Sequence, residues 1–233
     1  MTRDGSVTAL AIAALVACGG GGTGSTAPAA TTPGDRPATV SLDDLEQALL
    51  EAQAWQVEAR ITANGAIAVD LTASVLATRD NRVRLHARGT FMGEPQDLRW
   101  VSDGMRTSDG AAAPPHATEA IVIGMTRMGV LHNVARLVGK AAPDHADGGA
   151  RDWVVATDQR STAPGELAFG VTVAGQPSGY ARVWATPSPQ GPVMTRRTIT
   201  VHFEAGDMVV EETYAFDLAV ELPSDAFAVG GGP

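Results

Sequence analysis

From Val57 onward the apolar residues of this chain recur at every second position, and a chain with that period can only build sheet. Val57, Ala59 and Ile61 alternate with Glu58, Arg60 and Thr62, and Ile67, Val69, Leu71, Ala73 and Val75 alternate with Asp70, Thr72 and Ser74. Asn64-Gly65 between the two runs is a hairpin signal. The next run sets Val83, Leu85 and Ala87 against Arg82, Arg84, His86 and Arg88. One face of the sheet is therefore wet, its arginines pairing with Asp or Glu on neighbouring strands; the alternative for the Arg82, Arg84 and Arg88 stripe is contact with a lipid headgroup or an acidic partner. Gly93-Glu94-Pro95 turns the chain into a strand over 97–102, and Asp103-Gly104 turns it into a short fifth piece over 105–107.

Two helical stretches interrupt this period. Ser41 is a good N-cap, Asp43, Asp44 and Glu46 suit the positive end of a helix, and Leu42, Leu45, Leu49 and Ala52 share a face, predicting a helix from Ser41 to about Trp55. A second helix is expected over 117–138. Its broad apolar face carries Ile121, Gly124, Met125, Met128, Leu131, Ala135 and Val138. Strands resume over 152–157, 166–173, 179–186, 193–204 and 208–216, the last two joined at Gly206-Asp207. The order is helix, about five strands, a helical block and about five more strands, with no βαβ alternation. The expected class is α+β with one curved antiparallel sheet.

The first forty residues carry an address. Arg3 precedes an apolar run from Val7 that ends in Leu15-Val16-Ala17-Cys18, with a glycine tract immediately after. The run is too short to span a bilayer, and the small residue before the only cysteine fits a bacterial lipoprotein signal. Residues 1–17 are then the signal peptide and Cys18 the acylated first residue, carrying palmitate-type chains. Each buried methylene of those chains contributes about 0.8 kcal/mol, enough to hold a protein at a membrane without basic residues. Residues 18–40 read as the acylated cysteine and a Gly/Ala/Thr/Pro tether, residues 41–229 as one domain and 230–233 as a tail. The tether's root-mean-square span is on the order of 25 Å. The residue after Cys18 is Gly rather than Asp, which favours the outer membrane, facing the periplasm.

A formal net charge of −9 argues against nucleic acid or an anionic lipid surface as the main partner. Without further cysteines the domain has no disulfide and depends on its core. The histidines at 86, 116, 132, 145 and 202 lack metal-site spacing, and the loop with Asp144, His145 and Asp147 reads as a solvated turn. There is no Gly-x-Ser-x-Gly elbow and no P-loop lysine. No catalysis, cofactor or metal is expected.

The N-terminal helix running into Gln56-Val57-Glu58-Ala59-Arg60-Ile61, the meandering strands, the internal helix and the closing Tyr214-Ala215-Phe216 to Leu222-Pro223-Ser224-Asp225-Ala226-Phe227 segment resemble lipoprotein carriers and receptors of the LolA/LolB type and the related LppX/LprG lipoproteins. The resemblance covers most of residues 41–229 and rests on element order rather than on a signature motif. It implies a half-open barrel lidded by helices, with acyl chains in the apolar space between them. A lid carrying Met125 and Met128 can repack around a variable ligand. The candidate cavity residues are Trp100, Ile121, Met125, Met128, Leu131 and Trp184. The implied function is binding of lipid or acylated polypeptide in lipid or lipoprotein trafficking. The alternative is a structural or sensory lipoprotein with a filled core that binds another protein, whose identity the residues do not specify.

Overall fold

The computed structural model describes residues 40–138 and 149–229. They belong to one compact unit, Pro37–Pro233, while the unit Met1–Arg36, with Cys18, lies outside the described residues, as do Asp144, His145 and Asp147.

Helix α1 (Leu42–Glu51) starts at Ser41, whose Oγ accepts from the Asp44 amide at 3.1 Å while Asp44 Oδ2 accepts from the Ser41 amide at 2.9 Å. This reciprocal cap fixes the helix start where the sequence puts it. The end differs: Ala52 is already extended, and Trp55 is buried in strand β1 (Ala54–Gly65) instead of closing the helix. Pairing of β1 with strands on both sides outweighs the local helical pattern there.

The remaining strands are β2 (Val69–Thr78), β3 (Val83–Phe91), β4 (Glu94–Ser102), β5 (Val154–Ala163), β6 (Glu166–Val173), β7 (Gln176–Thr186), β8 (Val193–Phe203) and β9 (Gly206–Asp217). They form one open, curved antiparallel sheet in the order β4-β3-β2-β1-β9-β8-β7-β6-β5. Hairpins build each half, and the first and last strands join the halves by pairing Val57 with Phe216 and Ile61 with Glu212. This is the α+β architecture expected from the alternation. The fifth piece expected over 105–107 is no strand: it makes only the isolated bridges Ser102↔Thr107 and Arg106↔Ala112.

Sheet order dictates where the helices go. Strands β4 and β5 are consecutive in sequence but sit at opposite edges, so the segment between them has to cross the sheet. That segment holds α2 (Ala117–Arg127), α3 (Val130–Val138) and the short α4 (Ala150–Trp153). The expected single helix is thus two, and the start of the expected strand at 152 is helical. Leu45 of α1, Ile121 and Met125 of α2 and Val134 of α3 share one core with Val57, Leu71, Leu85, Phe169, Val183 and Ile199 of the inner sheet face. Burial of each such side chain is worth about 1.5–3 kcal/mol.

The outer face stays polar. Arg88 meets Asp97 at 3.1 Å and His86 meets the same carboxylate at 2.9 Å, the cross-strand pairing expected of that stripe, while Arg82 meets Asp80 at 3.0 Å within the turn between β2 and β3. Arg84 instead donates to the Ala226 carbonyl at 3.5 Å, because Ala226 and Phe227 fold over Leu76 on this side. The segment after β9 therefore covers the one large apolar residue that β2 turns outward.

Candidate functional site

The break between α2 and α3 is built from below by two charged residues on the inner face of the sheet. Arg197 on β8 and Glu212 on β9 stand directly opposite each other, both essentially inaccessible to solvent. The Arg197 guanidinium donates to the carbonyls of Thr126 and Arg127, the last residues of α2, and lies 5.8 Å from the Phe169 ring centroid. Glu212 accepts from the amides of Val130 at 3.0 Å and Leu131 at 2.8 Å, the first residues of α3, and from the Tyr214 hydroxyl. A cation thus sits at the negative end of one helix and an anion at the positive end of the next. Between them Gly129 takes φ +103°, and a Cβ there would lie 2.5 Å from Glu212 Oε2. Only glycine fits the corner.

Burial sets the charges of this group apart from ordinary ones. It pushes the Glu212 carboxyl up, opposed by Arg197, Tyr214 and the two amides, and pulls the Arg197 guanidinium down. Tyr214 is raised well above its ordinary value by burial and by the neighbouring Glu212.

A second buried carboxylate ties the helices to one another. Glu46 of α1 was read as a helix-dipole residue, yet it is 1% exposed and accepts from Arg127 Nε at 2.8 Å, Arg151 Nη1 at 2.9 Å and Thr126 Oγ1 at 3.1 Å. Arg127 also donates to the Val154 carbonyl at 2.6 Å.

Beyond the corner, α3 roofs an apolar cleft of about 370 Å³. Met128, Leu131, His132 and Ala135 line it from above. Val201, Phe203, Met208 and Val210 of β8 and β9 form its floor, and Ile67, Phe91 and Val173 its sides. Ser178 and His202 complete the lining, and His202 Nδ1 meets Asp207 Oδ1 at 2.8 Å. A larger hollow of about 690 Å³ lies elsewhere, among Gln53, Arg79, Asp80, Arg82 and Leu218. It is more open and more polar, so it removes less apolar ligand surface from water, and the smaller cleft is the better candidate site.

The six residues read from sequence scatter across the molecule. Met128 and Leu131 line the cleft. Ile121 and Met125 are fully buried in the core beneath α2 and are not among the residues that line the cleft. Trp100 is buried on β4 and borders a separate hollow of about 340 Å³ with Leu98, Pro114 and Leu137. Trp184 is on the outer face, where it pairs in register with Arg196, whose guanidinium carbon lies 4.9 Å from its ring centroid. It cannot contribute to an inner cavity, because Ala181 and Val183 hold the inward parity of β7. The residues missed are those of the floor, above all Met208 and Val210, whose inward parity was visible but whose neighbours were not. Among the described residues no group of three His, Cys, Asp or Glu side chains could hold a metal ion.

No family model matches the chain, and no curated protein matches it. Among solved structures it is similar to a LolA superfamily protein from Nitrosomonas europaea, at 12% identity over 80% of this chain and 95% of that one, with a TM-score of 0.40. It is similar to a chain of the Pseudomonas aeruginosa MucA/MucB complex at 13% identity, covering 81% of this chain and 59% of that one, TM-score 0.36. A DUF1329 family protein from Desulfovibrio piger is similar at 8% identity over 80% and 95%, TM-score 0.32.

Proposed function

We propose that this protein is a cell-envelope lipoprotein, acylated at Cys18 and held at the outer membrane on the periplasmic side, whose domain binds an apolar ligand without catalysis. The ligand is an acyl lipid or the acyl portion of another lipoprotein, and the task is its storage or transfer. The observation that carries the binding reading is the cleft under α3. Its volume of about 370 Å³ falls within the roughly 300–1,000 Å³ of small-ligand sites, and its walls are mostly apolar. The anchor rests on Leu15-Val16-Ala17-Cys18 and on the tether that follows it.

Native mass spectrometry of the unit from Pro37, purified without detergent and compared before and after delipidation, tests the binding reading. A discrete added mass that delipidation removes is the expected result. A bare polypeptide that also fails to take up a fluorescent fatty acid would overturn it. The second reading, a protein-binding lipoprotein, is favoured by the filled core around Ile121 and Met125, and it would gain from that negative outcome. For the anchor, Cys18→Ser should abolish incorporation of labelled palmitate and release the protein from the membrane fraction.

A further inference from the structure

We propose that the cleft takes a single hydrocarbon chain of about a dozen methylenes and leaves the ligand's polar head at its mouth; this rests on the reading that the cleft is a ligand site. The size of the space comes first. A water molecule's share of liquid volume is about 30 Å³ and a methylene's is of the same order. The 370 Å³ available therefore holds one medium-length chain. The two chains of a phospholipid, or the three of a fully acylated protein, exceed it.

The cleft also has a wall that cannot recede. Behind Val210 on the inner face of β9 comes Glu212, tied to the Val130 and Leu131 amides and to Tyr214. Across from Glu212 is Arg197, tied to the end of α2, and above them the core is filled by Ile121 and Met125. A methionine-lined wall could repack to lengthen the space, but this one would have to strip a buried charge of its partners. The chain length is capped on that side.

The polar residues of the lining are His132, Ser178 and His202, from α3, β7 and β8. His202 has the outward parity of β8, between the inward Val201 and Phe203, and its Nδ1 is held by Asp207 Oδ1 at 2.8 Å. The Ser178 hydroxyl donates to the Gln176 carbonyl. The interior of the cleft therefore suits hydrocarbon, and a polar head stays at its mouth, in contact with water. A fatty acid and a monoacylglycerol both have this form, one chain with a small polar head.

The test is a calorimetric titration of the delipidated unit from Pro37 with fatty acids and monoacylglycerols of graded chain length, dilauroylphosphatidylcholine and a synthetic triacylated peptide. Affinity is expected to rise about fourfold per methylene at one chain per protein, then to level off near a dozen carbons. Ala135→Trp from the roof and Val173→Trp from the side, each with an unchanged melting temperature, should abolish binding. Tighter binding of the phosphatidylcholine or the triacylated peptide, or affinity that keeps climbing with length, would overturn the single-chain limit while the cleft reading stands. Failure of every chain to bind would remove the cleft reading itself.

Discussion

Two of the helices over the inner face of the sheet, α2 and α3, are of similar length but packed to opposite effect. Under α2 the space is full: Ile121, Val122 and Met125 are wholly buried among strands of both sheet halves. Under α3 the same kind of apolar side chain borders an open cleft. The strands run through both regions with the same inward parity, so the difference does not lie in the sheet pattern. It lies at the corner, where Arg197 holds the end of α2 and Glu212 the start of α3. Close packing and an accessible cleft coexist because a pair of buried charges fixes the corner between the helices, while Val130 and Val134 bury one side of α3 in the shared core.

Removing one partner of that pair is the strongest way to break the comparison. Glu212→Ala or Arg197→Ala leaves a buried charge and a set of helix-end groups unpaired. Each should cost about 3–5 kcal/mol in urea denaturation. A cost under about 1 kcal/mol would mean that the corner is held by its apolar contacts alone.

Truncations in the two regions should then separate stability from binding. Ile121→Ala is expected to cost about 2–5 kcal/mol, the usual penalty for a cavity in a full core. Met128→Ala, at the partly buried rim of the cleft, should cost clearly less and change ligand uptake instead. Equal stability losses would erase the distinction between the filled and the open half.

Smaller effects sharpen the picture. Gly129→Ala, forced to φ +103° against Glu212, should cost roughly 1–3 kcal/mol without removing any charge. Ser41→Ala, far from both regions, should cost about 1 kcal/mol through the lost helix cap and leave binding untouched. The pH dependence carries both signs. Asp44 is held below the usual carboxylate range by hydrogen bonds from the Ser41 side chain and backbone, so its contribution is present above that range and lost as pH falls through it. Glu212 is raised by burial, so its contribution is present in acid and declines as pH rises through its elevated value. Glu212→Gln should therefore flatten the stability profile on the side above the ordinary carboxylate range, and Ser41→Ala the side below it, both read from melting temperature against pH.

Much of the fold was legible because alternation is a local signal. Val57 to Ile61, Val83 to Ala87 and the strand over 166–173 stand as the period required. The Ser41 cap was legible for the same reason. The helix break was not, because Met125, Met128, Leu131 and Ala135 continue one apolar face across Gly129 and hide it. What fixes the break lies about seventy to eighty residues further along the chain, in Arg197 and Glu212. A trace existed, since each is a charged residue on the inward parity of its strand, beside Ile199 and Val210. The site was harder still. Trp184 shares the parity of Arg182, so its outward placement could have been read. That Phe91, Val201 and Met208 meet at one end of the sheet follows only from the order in which nine strands pair.

The account's central claim is that the open half under α3 is where an apolar ligand goes. Photocrosslinking of the domain with a diazirine-bearing dodecanoic acid, followed by peptide mapping, tests it most directly. The expected adducts fall on residues 128–135 and 201–210, at Met128, Leu131, Phe203 or Met208, with Ile121 and Met125 unlabelled. Adducts on the outer face around Trp184, or labelling of Ile121 and Met125 equal to that of the cleft, would contradict the account.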